Sequence, residues 1–303
     1  MPHAHDHHCA AHHHGQPGSR AFVIAIALNS LFVVVEFVYG LIANSTALMA
    51  DAGHNLSDVL GLLLSLLAVV LVKRAPNGRY TYGLRSTSIL AALANAMFLM
   101  AACGAIAFEA VQRFMAPHDV DGWTVMLVAS VGIVINGLSA WLFMKEGGEL
   151  NVRGAYLHML FDALVSLGVV IAGLAMMYTH YFWLDSVVSL VIVAVVVLST
   201  WGLLKESLRL ALNAVPSHID VAALEDYLRQ YSGVADIHDL HIWGMSTTES
   251  ALTVHLVMPA GYPGDACIDE IALTLKERYR IEHSTLQVEE GSSDHYCVLH
   301  TAH

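Results

Sequence analysis

Six long apolar segments occupy the first two thirds of the chain, and shorter apolar runs with regular polar interruptions follow them. The long segments cover residues 21–43, 46–72, 87–112, 122–145, 153–178 and 181–205. A helix needs about 20 residues to cross a bilayer, so each segment is long enough for one span. The pattern predicts a membrane α-helical domain of six transmembrane helices.

After Asn213 the pattern becomes that of a small soluble domain. Residues 217–234 and 265–281 have apolar positions at helical spacing, whereas 236–245, 251–258 and 284–290 resemble strands. The order helix, strand, strand, helix, strand predicts an α+β domain of ferredoxin-like (αββαβ) type. We therefore expect a His-rich tail at 1–20, a transmembrane domain at 21–209, a cytoplasmic domain at 210–290 and a C-terminal tail at 291–303.

Two of the apolar segments each contain a His and an Asp four residues apart. The pairs are His54 with Asp58 and His158 with Asp162. On a helix, positions i and i+4 share a face, so each pair presents an imidazole and a carboxylate in one direction. Two nitrogens and two oxygens make a tetrahedral set suited to Zn²⁺ or a similar divalent cation. Since an Asp at the bilayer centre costs roughly 2.5 to 3.5 kcal/mol, the pairs predict a metal site rather than ordinary helix packing.

Further polar residues lie near the first pair. Asp51, one turn before His54, falls on the same face as His54 and Asp58 and predicts a polar stripe on an otherwise apolar helix. Asp51 is either an entrance carboxylate or a residue near the helix start. Glu36, in the first segment, is the most costly of the remaining polar residues and is expected to line an aqueous cavity.

Composition supports a membrane protein and excludes a nucleic-acid partner. The 303 residues are 56% hydrophobic and 13% charged, with a mean hydropathy of +0.58, which is too apolar for an ordinary soluble domain. Phosphate binding needs clustered basic residues, but the net charge is −12 and Lys and Arg total 14. The basic residues that flank the spans lie almost all on one side, with only Arg113 on the other. This asymmetry predicts that both termini are cytoplasmic.

Both chain ends are rich in potential metal ligands. Residues 1–20 contain seven His together with Asp6 and Cys9 in an irregular pattern with Gly and Pro, which is typical of a disordered, weakly metal-collecting tail. The C-terminal tail places His295, Cys297 and His300 within six residues. These could add soft ligands to a site in the same or a partner subunit.

A second metal site is expected in the soluble domain. His238 and His255 lie on strands that can pair, and His283 and Glu289 lie on or beside the last strand. We expect these four residues to hold a regulatory Zn²⁺, with ordinary surface histidines as the alternative. His241 is three residues from His238 and so lies on the opposite face of an ideal strand, unless a bend intervenes.

The whole pattern resembles the cation diffusion facilitator family, and more narrowly its bacterial zinc exporters. The resemblance rests on six spans with HNLSD in the second and HMLFD in the fifth, on RYTYGLRSTSILAALANA, and on HDLHIW and STLQVEE in the soluble domain. It implies a homodimer in the inner membrane that exports divalent metal from the cytoplasm in exchange for protons. It also implies that the transport site is the set His54, Asp58, His158 and Asp162, with Zn²⁺ as cargo and no organic cofactor.

The same ligands can couple metal to protons, because a protonated imidazole cannot bind a metal ion. A free imidazole has a pKa of about 6.5, within reach of the pH on both sides of a membrane. We expect no enzyme activity, since an intramembrane metalloprotease would need a general base such as the Glu of HExxH, a motif that the sequence lacks. A metal-sensing or metal-storage membrane protein is the alternative function.

Overall fold

A computed structural model describes the backbone of residues 20–72, 74–146 and 150–291. Within these ranges the side chains of residues 20–26, Asp58, some positions of 62–72, 142–146 and 150–158 are not described. The His-rich N-terminal tail and the ligands expected in the C-terminal tail therefore lie outside the described residues. The predicted domain limits at residues 20, 209 and 290 stay predictions.

All six predicted apolar segments form helices. Their bounds are α1 Arg20–Ile42, α2 Thr46–Val72, α3 Thr87–Met115, α4 Gly122–Glu146, α5 Leu150–Thr179 and α6 Trp183–Ala211. Among the described residues, four stretches are long and apolar enough to cross a membrane, and Ala27–Ile42 is a shorter apolar stretch. The four are Thr87–Met115, Gly122–Trp141, Met159–Thr179 and Trp183–Ala211. The predicted helical membrane domain is confirmed.

The described residues divide into two compact units, of which the first comprises 20–62 and 98–198 without the undescribed residues 147–149. Its core includes Phe32, Leu48, Val125, Val169 and Met176, all nearly inaccessible to solvent. Small residues bring the helix backbones close together. A Cβ atom at Gly122 on α4 would lie 2.8 Å from the carbonyl oxygen of Gly173 on α5, so a larger residue there would force these two helices apart.

A buried carboxylate joins the start of α2 to the start of α6. Asp185 is 1% exposed and accepts hydrogen bonds from Ser45 Oγ at 2.5 Å, Thr46 N at 2.6 Å, Thr46 Oγ1 at 2.8 Å and Ala47 N at 3.3 Å. The first N–H groups of a helix have no partner within the helix and carry a partial positive charge. Asp185 therefore caps α2 from another helix and fixes the end of the helix that carries His54.

The second unit comprises the described residues of 63–97 and 199–291, and its C-terminal part is the predicted α+β domain. The elements are α7 Val221–Arg229, β1 Asp236–Gly244, β2 Ser250–Val257, α8 Asp265–Tyr279 and β3 Ile281–Glu289. The sheet order is β1-β2-β3, with β1 and β2 antiparallel and β2 and β3 parallel. The predicted αββαβ order is confirmed.

One face of the sheet packs against the two helices, and the other face carries polar side chains. The core between sheet and helices contains Leu224, Leu252, Leu256, Ile271 and Leu275, each fully buried. Side chains alternate along a strand, so the positions between Leu252, Val254 and Leu256 point to the opposite face. That face carries Thr253 and His255, and it is where the candidate ligands of this domain meet.

The segment before α3 contacts the turn between β1 and β2 within the second unit. Arg85 forms a 2.7 Å ion pair with Glu249, Ser86 Oγ donates to the carbonyl oxygen of Met245, and Thr247 N donates to Ser88 Oγ at 3.1 Å. Both charged side chains are about a third exposed, so the ion pair contributes little stability by itself. The two serine hydroxyls hold this segment against the backbone of the turn.

Candidate metal centres

The first candidate centre lies between α2 and α5. His54 Nε2 is 3.3 Å from Asp162 Oδ1, and the two side chains are 16% and 3% exposed. These residues come from different predicted pairs and are 108 positions apart in the chain. The structure thus brings together one member of each pair inside the helical unit.

The other two members of the quartet lie on the same helices. Asp58 is one turn after His54 on α2, and His158 is one turn before Asp162 on α5. Their side chains lie outside the described residues. The inclusion of Asp58 and His158 in the quartet therefore stays a prediction.

Asp51 is fully buried and lies beyond the first turn of α2, which begins at Thr46. Its Oδ2 accepts a hydrogen bond from Ser166 Oγ at 3.1 Å, one turn after Asp162 on α5. Glu36 on α1 is also fully buried, and Asn55 Nδ2 donates to its Oε2 at 3.1 Å. The polar stripe of α2 is therefore matched by polar groups on α1 and α5.

The second candidate centre lies on the polar face of the sheet. Glu289 Oε2 is 3.0 Å from His238 Nε2, and Glu289 Oε1 is 2.9 Å from His255 Nδ1. One ligand atom from each of the three residues lies within 4.8 Å of the others, and the two imidazole centroids are 4.9 Å apart. Two nitrogens and one oxygen at this spacing fit three positions of a tetrahedral Zn²⁺ site.

A β-bulge shapes this centre. His238 pairs with His255, but His241 pairs with Thr253, so β1 contains one residue more than β2 over this interval. Asp239 adopts a left-handed conformation with φ +52°, which Asp tolerates better than most residues. The bulge supplies the bend that the ideal strand lacks and turns His241 to the same face as His238.

The bulge also brings in a residue that the sequence did not indicate. Asp239 Oδ2 is 3.5 Å from His255 Nε2, and Asp239 Oδ1 is 3.2 Å from His241 Nε2. Asp239 thus orients the imidazole of His255 from the side opposite Glu289. A carboxylate close to the second ring nitrogen helps to fix the tautomer and ring angle of a metal-binding histidine. In the sequence, the only indication of this role is that an Asp, a residue that tolerates φ > 0, lies between two histidines.

Glu289 is charged under neutral conditions. Burial raises the pKa of this carboxyl, but the hydrogen bonds from His238 and Gln287 and the nearby His255 outweigh that effect and leave the pKa below its ordinary value. The carboxylate is therefore available as a ligand at neutral pH. Its contribution to stability is present above the ordinary Glu pKa and is lost as the pH falls through the lowered folded-state value.

The structure does not bring His283 into this cluster. His283 pairs with Ala251 near the start of β3, whereas Glu289 pairs with Val257 at its end. Six residues of strand span about 20 Å. The ring of His283 contacts Tyr82 instead, with centroids 5.7 Å apart, so three of the four residues expected at this site lie together.

Comparisons with known proteins agree with both parts of the fold. Residues 22–210 match a family model described as the cation efflux transmembrane domain, and residues 216–291 match one described as the cation efflux protein, cytoplasmic domain. The zinc transporter ZitB of Escherichia coli is 36% identical over 293 residues, which cover 95% of this chain and 93% of that protein.

Two further relatives differ in the metals that their names mention. The metal cation efflux system protein CzcD of Cupriavidus metallidurans is 35% identical over 92% of this chain and 90% of its own length. The cadmium, cobalt and zinc/H(+)-K(+) antiporter of Bacillus subtilis is 31% identical over 94% of this chain and 93% of its own length. The chain belongs to the cation efflux family, the cation diffusion facilitators, and is similar to the bacterial zinc exporters of that family.

Proposed function

We propose that this protein exports Zn²⁺ from the cytoplasm in exchange for protons, through a site formed by His54, Asp58, His158 and Asp162. The observation that carries the proposal is the contact between His54 and Asp162, which links the two predicted pairs across α2 and α5. Cd²⁺ and Co²⁺ are also suited to two imidazoles and two carboxylates. The names of the relatives from E. coli and B. subtilis support zinc transport and proton exchange.

The chemistry of the ligands supplies the coupling. Neutral imidazoles and ionised carboxylates bind the divalent ion, whereas a proton on His54 or His158 removes a lone pair and adds a positive charge. Metal and protons therefore compete for one site, and each stabilises a different state of the carrier. Export follows when the metal-loaded site opens away from the cytoplasm and the protonated site returns.

The proposal includes location and assembly. The protein lies in the bacterial inner membrane with both termini in the cytoplasm, which the basic residues around the spans support. A homodimer is expected, since a C-terminal domain of under 90 residues buries limited surface by itself. No organic cofactor and no enzyme activity are part of the proposal.

A regulatory Zn²⁺ in the C-terminal domain completes the proposal. His238, His255 and Glu289 would hold the ion, with Asp239 orienting His255. This centre uses other residues than the transport site. It therefore supports a metal-sensing role in addition to transport, rather than metal storage alone.

Transport should depend on a pH gradient. In proteoliposomes with an acidic interior, we expect faster and larger Zn²⁺ uptake than in vesicles at equal pH, because outward proton flow drives inward metal flow. A zinc-sensitive dye inside the vesicles measures the uptake. Zinc flux that is indifferent to the imposed gradient would contradict proton exchange.

Zinc binding to the C-terminal centre can be counted in the full-length protein. We expect the double substitution His238→Ala and His255→Ala to lower the zinc stoichiometry by one ion per chain in calorimetric titration. Zinc at about 100 times its Kd adds roughly 2.7 kcal/mol to stability, so the variant should also lose part of the zinc-dependent rise in Tm. His218→Ala, at an exposed position outside the centre, is the matched control. Unchanged stoichiometry in the double variant would rule the centre out.

A further inference from the structure

Two carboxyl groups beside the proposed transport site are buried without obvious compensation. Glu36 on α1 and Asp51 on α2 are both 0% exposed, and neither belongs to the predicted ligand quartet. Two ionised carboxylates in contact and away from water would repel each other and would lack hydration. Their burial together therefore needs a physical reason.

The hydrogen bonds of the four oxygen atoms supply that reason. Asn55 Nδ2 donates to Glu36 Oε2, and Ser166 Oγ donates to Asp51 Oδ2, both at 3.1 Å. Glu36 Oε1 and Asp51 Oδ1 are buried, and neither accepts a hydrogen bond from a donor in the described part of the chain. The electrostatic interactions of each carboxyl group include the other, so the two groups act on each other directly. A hydrogen bond between them requires one hydrogen, and a single shared proton satisfies both remaining oxygens.

We propose that Glu36 and Asp51 share one proton in the zinc-free protein and release it when zinc binds, so that the pair is a proton site for the exchange in addition to the metal ligands. The O–H bond of the carboxyl breaks, the electron pair stays on the oxygen, and H⁺ leaves to water. This inference rests on the proposed zinc–proton exchange and gives one of the exchanged protons a location.

The surroundings of the pair explain why zinc would expel the proton. Among the described side chains, His54 from α2 and Asp162 from α5 are ionisable groups that act on it. The facing helix α4 carries no ionisable side chain before Lys145, so no fixed positive charge compensates the pair from that side. A divalent ion bound by His54 and Asp162 adds positive charge nearby and favours the form in which both carboxylates are ionised.

The test measures how steep a zinc gradient a given pH gradient can sustain. In proteoliposomes with the membrane potential held at zero, each proton exchanged per zinc contributes about a factor of ten to the steady-state zinc ratio for each pH unit. Glu36→Gln keeps the shape of the side chain and a donor toward Asp51 but cannot release a proton. We expect its steady-state zinc ratio at a gradient of one pH unit to be about tenfold lower than that of the wild type.

A second variant tests whether the proton is shared. Asp51→Asn should give the same tenfold loss, and the double variant should give no further loss, because only one proton is removed. Glu109→Gln is the matched control: Glu109 lies on α3, 45% exposed and paired with Arg113 at i+4, and should keep the wild-type ratio. An unchanged ratio in Glu36→Gln, or a roughly hundredfold loss in the double variant, would overturn the proposal.

Infrared difference spectra decide the matter if the variants do not transport zinc. Zinc added to the zinc-free wild type should remove the carbonyl stretch of a protonated carboxyl, and this signal should be absent from Glu36→Gln and Asp51→Asn. A wild-type spectrum without that loss overturns the shared proton. If wild-type vesicles fail to build a zinc gradient from a pH gradient, the exchange function fails instead, which is a separate result.

Discussion

Replacing Asp162 by Asn reduces the initial rate of zinc transport by roughly 100-fold or more. Loss of an outer partner of a metal site already costs about 10- to 100-fold in affinity or activity, and Asp162 is a proposed direct ligand. The amide keeps the size of the side chain but removes its charge and its preference for Zn²⁺. It also replaces the charged partner in the 3.3 Å contact with His54, which links α2 to α5, by a neutral one. Zinc uptake into proteoliposomes under a fixed pH gradient measures the effect.

Two comparisons separate this result from a general loss of structure. Glu109→Gln removes a carboxylate from a partly exposed ion pair of the same helical unit and should retain the wild-type rate. Zinc binding by the centre at His238, His255 and Glu289 should survive in Asp162→Asn, as judged by titration of the full-length protein. A variant that still transports at half the wild-type rate or better would exclude Asp162 as a transport ligand.

The helices and the first candidate centre follow from local sequence patterns. Apolar runs of more than 20 residues specify the spans without reference to tertiary contacts, and helical periodicity places His54 and Asp58 on one face. Among the six spans, the main error in length is at the end of α6, predicted at residue 205 and observed at Ala211. The last turns of α6 contain Lys205, Glu206 and Arg209. These charged residues end the apolar run, but the helix continues past them.

The second candidate centre could be predicted only in part, because strand register depends on tertiary pairing. Local alternation identifies β1, β2 and β3, but it does not say which residues face each other. The register places Glu289 beside Val257 and His283 beside Ala251, which separates two residues expected at one site. The bulge at Asp239 likewise depends on pairing with β2, so its effect on His241 could not be read from β1 alone.

Local sequence patterns also do not predict which residues far apart in the chain contact each other. The sequence shows Glu36 and Asp51 as polar residues in apolar helices, but their interaction depends on how α1 packs against α2. Asp185 reads as an ordinary acidic residue in the first turn of α6. Its role is visible only when the start of α2, 139 positions away in the chain, lies against it.

Replacing Asp185 by Ala lowers the stability of the protein by roughly 3 kcal/mol or more. The carboxylate accepts four hydrogen bonds from Ser45, Thr46 and Ala47, and its removal leaves buried N–H and O–H donors without an acceptor. The positive end of the α2 dipole also loses its counter-charge. Thermal unfolding of the full-length protein in detergent should show a lower Tm, and zinc transport should fall because α2 carries His54.

An exposed cap on another helix of the same unit provides the matched control. Asp121 accepts hydrogen bonds from Trp123 N, Thr124 N and Thr124 Oγ1 at the start of α4, but it lies at the surface. Loss of an exposed cap costs about 1 kcal/mol, because water replaces the lost acceptor. Asp121→Ala should therefore lower the Tm clearly less than Asp185→Ala. Equal shifts in the two variants would mean that the buried carboxylate contributes no more than an ordinary cap, and the link between α2 and α6 would lose its proposed importance.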